Sequence, residues 1–159
     1  MLSGRVSEQE QDFSIGGQDF SIAGMARRTE KPWGYEIVWT PEDRPYVGKV
    51  LHIDAGKRLS LQVHDAKTES WYLVGGRAQV VWDDGTGELV ETELESGVGY
   101  SVAIGQRHRL VGITDCDVLE VSTPEIGTTH RLEDDYARPD ETEAVRASAG
   151  RGWTPPSTR

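Results

Sequence analysis

The sequence predicts an all-β domain, either a sandwich or a closed barrel, and three observations carry that expectation. Short segments rich in Val, Ile, Leu, Tyr and Trp follow one another through the middle of the chain. Gly, Asp and Pro punctuate them at intervals of roughly ten residues. No stretch of useful length between them repeats its apolar residues at the helical period. About nine short antiparallel strands must pack as two sheets or close on themselves to bury a core.

Taken in order, the chain begins with a tandem heptapeptide, Gln11-Asp12-Phe13-Ser14-Ile15-Gly16-Gly17 and Gln18-Asp19-Phe20-Ser21-Ile22-Ala23-Gly24. Two short copies cannot build a solenoid, so residues 1–24 are expected to be a disordered leader, with Met25 an alternative start. Strands are expected over Tyr35 to Thr40, Val47 to Ile53, Leu59 to His64, Ser70 to Val74 and Ala78 to Trp82. Four more follow over Glu88 to Glu93, Gly99 to Ala103, His108 to Ile113 and Asp117 to Ser122. Asp83-Asp84-Gly85-Thr86-Gly87 reads as a hairpin turn, because its residue types tolerate positive φ. From Pro139 the apolar periodicity stops. The expected division is a leader (1–24), one β domain (25–138) and a disordered C-terminal tail (139–159), with Trp153 the tail's only large apolar anchor.

Composition narrows the function. The chain has 159 residues, with 17 Lys plus Arg against 27 Asp plus Glu, a net charge of −10. One domain is expected at this length. No apolar run approaches the roughly 20 residues of a membrane helix, and the N-terminal residues are too acidic for a secretion signal. The lone Cys116 closes no internal disulfide and forms no thiolate cage. A soluble cytoplasmic protein is expected, without membrane or nucleic-acid partners, since the negative charge opposes phosphate-backbone contact. An anionic ligand would need a local basic pocket.

Candidate chemistry begins in Gly56-Lys57-Arg58-Leu59-Ser60-Leu61-Gln62-Val63-His64, where Leu59, Leu61 and Val63 alternate with Arg58, Ser60, Gln62 and His64. The polar face suits either solvent or a wet cavity. Glu69 opens the next strand and shares a face with Trp71 and Leu73. Gly105-Gln106-Arg107-His108 then sets another histidine at a strand start. Two imidazoles, a carboxylate and an amide suit a borderline divalent ion, with coordination left for water or substrate. His52 and His130 read as packed or solvated residues.

These residues resemble the cupin superfamily. Gly56, five residues, Gln62-x-His64, four residues, Glu69, six residues and Gly76 is similar to the first cupin motif, with Gln62 in place of the usual first histidine. Gly97, five residues, Ala103-x-Gly105, two residues and His108 is similar to the second, with alanine for the usual proline and no final asparagine. The nearer resemblance is to the cupin domain of type II mannose-6-phosphate isomerases, here in stand-alone form. It rests on Lys31-Pro32-Trp33-Gly34, Arg58-Leu59-Ser60-Leu61-Gln62-x-His64, Lys67-x-Glu69-x-Trp71, Gly105-x-x-His108-Arg109-Leu110 and Arg131-Leu132-Glu133-Asp134-Asp135-Tyr136-Ala137-Arg138. The glutamine is characteristic of that subgroup. Lys31 and Lys67 stand where arginines are common, and Asp65-Ala66 where two further histidines often occur.

The resemblance implies a jelly-roll β-barrel in which Gln62, His64, Glu69 and His108 hold one divalent metal ion, zinc, manganese, iron, nickel or cobalt. It implies an aldose–ketose isomerase acting on a phosphorylated hexose, with a possible homodimer through edge strands. No nucleotidyltransferase role is expected. Basic candidates for the phosphate are Lys31, Arg58, Lys67, Arg107, Arg109, Arg131 and Arg138. Of these, Arg58 is favoured by its place on the ligand face, Lys67 by its turn between ligands, and Arg138 by ending the C-terminal motif. Arg58 and Lys67 are also the catalytic candidates, although Lys67 would need burial to lower its pKa enough to act as a base. Tyr72, Tyr100 and Tyr136 offer hydrogen bonds to hydroxyls or simple packing. The alternatives are an iron-dependent cupin oxygenase and a non-catalytic sugar-binding cupin.

Overall fold

The computed structural model describes residues 24–156, so the tandem heptapeptide, apart from Gly24, lies outside the described residues. Eleven strands are present among them: β1 (Arg27–Lys31), β2 (Gly34–Val38), β3 (Val47–Ile53), β4 (Leu61–His64), β5 (Glu69–Gly75), β6 (Ala78–Asp83), β7 (Leu89–Glu93), β8 (Gly99–Val102), β9 (His108–Gly112), β10 (Cys116–Ser122) and β11 (Thr129–Glu133). They form two antiparallel sheets, β1-β2-β3-β10-β5-β8 and β11-β4-β9-β6-β7. All nine expected segments contain a strand. β1 and β11 are additional.

Alternation decides what each strand buries. Glu69, Trp71 and Leu73 of β5 are buried while Ser70, Tyr72 and Val74 face outward, the two-residue period of a half-buried strand. The inward residues of both sheets meet in one core around Leu51, Ile53, Leu73, Ala78, Val80, Leu110 and Val118. Trp33 packs into the same core from the β1–β2 turn. Gly34 follows it with φ +142°, and a Cβ there would fall 2.1 Å from the His52 carbonyl oxygen. Only glycine permits that approach.

The turn after β6 is closed by its aspartates: Asp83 accepts from the Gly85 N–H and Asp84 from the Thr86 N–H, each at 2.9 Å. β4 is shorter than expected. Arg58 makes an isolated bridge to Val111, and regular strand pairing starts only at Leu61. Residues 139–156, expected as tail, are held against the barrel. Glu141 bridges to Thr129, helix α1 (Glu143–Ala147) is capped by Thr142, and a 3-10 turn spans Ala149–Gly152. Arg146 anchors this strap by donating to the Gly127 carbonyl at 2.7 Å. No helix among the described residues is long and apolar enough to cross a membrane.

Candidate metal centre

The smaller sheet gathers three of the four candidate ligands by register. Gln62 of β4 lies opposite His108 of β9 and Arg131 of β11, and His64 lies opposite Thr129. A further bond ties the histidine-bearing segments together, from the Gly105 N–H to the His64 carbonyl at 2.9 Å. The fourth, Glu69, reaches in from β5 of the larger sheet. His64, Glu69 and His108 are 2%, 4% and 1% exposed, and one ligand atom from each lies within 4.8 Å of the others.

The donor set fits a divalent cation. His108 Nδ1 is 2.8 Å from the Gln106 carbonyl oxygen, which can only accept. Nδ1 is therefore the donor in that contact, which leaves Nε2 facing Glu69 Oε1 at 3.2 Å. His64 Nδ1 is held by Thr129 Oγ1 at 3.0 Å, leaving its Nε2 3.4 Å from Glu69 Oε2. Two ring nitrogens and a carboxylate converging in a buried site are a donor set of the kind that holds a divalent cation. The Gln62 amide lies 3.5 and 3.4 Å from the two Nε2 atoms. These separations match ligands held about 2.0–2.2 Å from a shared ion. Gln62 Oε1 now accepts from Ser60 Oγ at 2.7 Å. A half-turn of the amide would direct its oxygen to the centre, because the Ser60 hydroxyl accepts as readily as it donates.

Behind Glu69 lies a buried ionic network. Lys67 Nζ is 2.7 Å from Glu69 Oε2 and 2.8 Å from Glu120 Oε1. Lys49 pairs with Glu125 and lies 3.6 Å from Glu120. Burial alone would raise the Glu69 carboxyl, but Lys67 and the hydrogen bonds of His108 and His64 outweigh it and hold Glu69 well below the usual carboxylate range. Burial alone would likewise lower the Lys67 ammonium, yet Glu120, Glu69 and Glu125 hold it well above its ordinary value. Lys67 is therefore a fixed cation. Burial comes here together with three carboxylates, which oppose the lowering that a base would need.

The cavity has a volume of about 70 Å³. Gln62, His64, Lys67, Glu69, His108 and Arg138 all line it, as do Lys31, Arg109 and Arg131. Arg58 does not: its guanidinium is clamped by Asp135 at 2.7 and 2.8 Å on the exposed side. The alternation that sets Ser60, Gln62 and His64 on the ligand face does not reach Arg58, because Leu59 and Ser60 both line the cavity and regular strand pairing starts only at Leu61. Arg107 is bound by Asp83, and none of the tyrosines lines the cavity. His52 stacks on Tyr35, and His130 meets Asp140 at the surface.

Lys49, Glu120, Glu125, Glu141 and Arg151 also line the cavity and are not among the residues that the sequence marks as candidates. Lys49 and Glu120 carried a usable signal, being in phase with the buried Leu51 and Val118 of their strands. Seven Lys and Arg side chains face five carboxylates there, a surplus of two positive charges inside a chain of net charge −10. Four buried N–H groups of cavity-lining residues have no hydrogen-bond partner among the described residues: Trp33 Nε1, Trp71 Nε1, Arg131 Nε and Arg151 Nε. All are donors, which favours a ligand rich in acceptor oxygens.

Residues 18–141 match the family model described as Mannose-6-phosphate isomerase C-terminal. The alginate biosynthesis protein AlgA of Pseudomonas aeruginosa is 35% identical over 128 residues, covering 76% of this chain and 24% of that protein. The chain thus spans about a quarter of that relative's length. Among solved structures, an oxalate decarboxylase OxdC of Bacillus subtilis aligns at 18% identity with TM-score 0.62, over 78% of this chain and 35% of that one. Mn(II) centres are described for that decarboxylase. KdgF from Halomonas sp. aligns at 16% identity with TM-score 0.53, over 63% of this chain and 89% of that one. The structural likenesses show a shared fold, the cupin barrel expected from the sequence.

Proposed function

Because the chain belongs to the mannose-6-phosphate isomerase C-terminal family, we propose that it is a metal-dependent aldose–ketose isomerase of a phosphorylated hexose, with mannose 6-phosphate the first substrate to test. The observation that carries this reading is the convergence of Gln62, His64, Glu69 and His108 inside a cavity whose other charges are predominantly positive. Interconversion of aldose and ketose moves a proton between C1 and C2 and builds negative charge on the carbonyl oxygen. A divalent ion held by these four residues would supply Lewis acidity toward that oxygen.

The chain's own residues orient and bind. Thr129 and the Gln106 carbonyl fix the two imidazole rings, which aims both Nε2 atoms inward. Lys67 is a positioning residue: its ammonium holds the Glu69 carboxylate between Glu120 and the donor set. Trp33 and Trp71 offer indole N–H donors to sugar oxygens. Arg138, oriented by Asp134 at 2.6 Å, and Arg131 line the cavity and suit an anionic substituent. Imidazole, carboxylate and amide donors suit manganese, iron, cobalt, nickel or zinc, and the Mn(II) of the structurally similar decarboxylase makes manganese the first ion to supply.

The test is metal analysis followed by proton-exchange NMR in deuterium oxide with mannose 6-phosphate. Solvent deuterium entering C1 or C2 in the metal-loaded protein, and equally under strict exclusion of oxygen, is the expected result. Metal-loaded protein that exchanges no deuterium with any hexose phosphate would refute the isomerase. Turnover that requires oxygen would favour the oxygenase instead.

A further inference from the structure

The C-terminal strap brings a residue into the cavity from beyond the part of the chain that matches the family model, which ends at residue 141. Arg151 sits in the 3-10 turn with φ +50°, one of two non-glycine residues at positive φ among the described residues. Its neighbours Gly150 and Gly152 are also left-handed, at +68° and +81°. An L-residue is held unfavourably there, and the result is a guanidinium turned into the barrel mouth.

What it meets there is informative. Glu141 lies between two arginines, one oxygen paired with Arg151 Nη2 and the other 2.8 Å from Arg131 Nη2. Arg151 reaches Glu36 and Glu125 only at 3.4 and 3.8 Å. Both arginines retain a buried Nε–H without a partner among the described residues. Arg131 lies opposite Gln62 in the β4–β11 register, so the pair adjoins the proposed metal ligands. A carboxylate bridging two guanidiniums occupies the place that an oxyanion ligand would take. The cavity volume of about 70 Å³ is also below the roughly 300 Å³ at the small end of ligand pockets, so displacing Glu141 would make room for a sugar phosphate.

We propose that Arg131 and Arg151 form the subsite for the phosphate group of the ligand, and that Glu141 is its built-in occupant, displaced when phosphate binds. The identity of the anion rests on the sugar-phosphate reading above. The subsite itself rests on the two guanidiniums and the carboxylate between them. The strap is then an affinity element for phosphorylated over unphosphorylated sugars.

The test is calorimetric titration of the metal-loaded full chain with mannose 6-phosphate, inorganic phosphate and mannose. Arg151→Ala is expected to weaken both phosphates roughly tenfold to a hundredfold, the worth of a charge-assisted hydrogen bond, with mannose unchanged. Glu141→Gln is expected to tighten both several-fold, because it weakens the internal competitor. Opposite signs from two halves of one ion pair separate a binding role from a structural one, which would move both variants the same way. Thermal unfolding checks that each variant is folded, and if Arg151→Ala is not, the gain in Glu141→Gln decides. Wild-type affinity in Arg151→Ala, or no tightening in Glu141→Gln, overturns the subsite. Unchanged deuterium exchange and KM in Arg151→Ala would overturn the subsite and leave the isomerase standing. Phosphate binding lost in Arg151→Ala, in a protein that exchanges no deuterium, would uphold the subsite and refute the isomerase. Wild-type protein that binds neither phosphate overturns both.

Discussion

The inward positions of the same strands change chemistry from one end of the barrel to the other. Along β3, Ile53 and Leu51 give way to Lys49; along β5, Leu73 and Trp71 to Glu69; along β10, Val118 to Glu120; along β9, Leu110 to His108. Burial does not separate the halves, since Lys49 and Glu120 are each 5% exposed, like Leu73. The apolar half stabilises the fold through surface removed from water. The charged half must recover the cost of desolvating every ion through pairing, and such pairs are weak contributors to net stability. One half of the interior is thus built for folding, and the other for what it can bind.

The sharpest way to break that contrast uses two neighbours on β9. His108→Ala is expected to reduce bound metal from about one ion per chain to near zero, with the far-UV circular dichroism of the folded barrel retained. His64→Ala should do the same. Leu110→Ala is expected to cost about 2–5 kcal/mol of stability while metal content stays at the wild-type level. Elemental analysis of the purified proteins and urea denaturation of their chelator-treated forms, which removes the linkage between metal and folding, read the two effects separately. Full metal occupancy in His108→Ala would remove it from the ligand set. Metal loss in Leu110→Ala would mean that the halves are not separable.

The same contrast explains what was legible in the sequence. Alternation with turn punctuation exposed nine strands, and it exposed Gln62, His64, Glu69 and His108 because each lies on a strand, or at its start, beside a well-marked turn. It missed β1 because Arg27 to Lys31 are all polar, as suits a half-exposed edge strand. It missed β11 because that strand's inward residues, Thr129 and Arg131, face the polar half and leave no apolar period to find. Lys49 and Glu120 were within reach of the parity of their strands. Arg58 was misplaced because parity was carried back across a segment that is not strand. Glu141 and Arg151 had no periodic signal at all, since only the folded strap carries them to the barrel mouth.

A smaller effect sharpens the electrostatics of the charged half. Burial alone would raise the Glu125 carboxyl, but Lys49, Lys67 and Arg151 outweigh it and hold it far below the ordinary carboxylate range. In the unfolded chain the group titrates near 4.3. Below that pH the unfolded state binds a proton that the folded state does not. Stability from Glu125 is therefore fully present above about pH 4.3 and is lost as the pH falls toward the depressed folded value. The slope amounts to up to about 1.4 kcal/mol per pH unit. Glu125→Gln should flatten the acid limb of stability by as much as one proton, on top of a lower plateau caused by leaving Lys49 one carboxylate short. Denaturant unfolding at a series of pH values through the acid limb measures that slope. An unchanged acid limb in the variant would show that Glu125 titrates alike in both states.

The smallest expected effect belongs to Arg58, and it tests the boundary of the charged half from outside. Its side chain is 44% exposed and its only close ion pair among the described residues is with Asp135, so solvent screens the interaction and Arg58→Ala should cost less than about 1 kcal/mol. Arg109, which lines the cavity and hydrogen-bonds the Leu59 carbonyl at 3.1 Å, stays in place when Arg58 is removed. Affinities for mannose 6-phosphate and for mannose should therefore equal those of the wild type, although a reading from strand alternation alone would have Arg58→Ala selectively weaken the phosphorylated sugar. A selective loss in that titration would return Arg58 to the ligand face and require the segment before Leu61 to turn inward when substrate is bound.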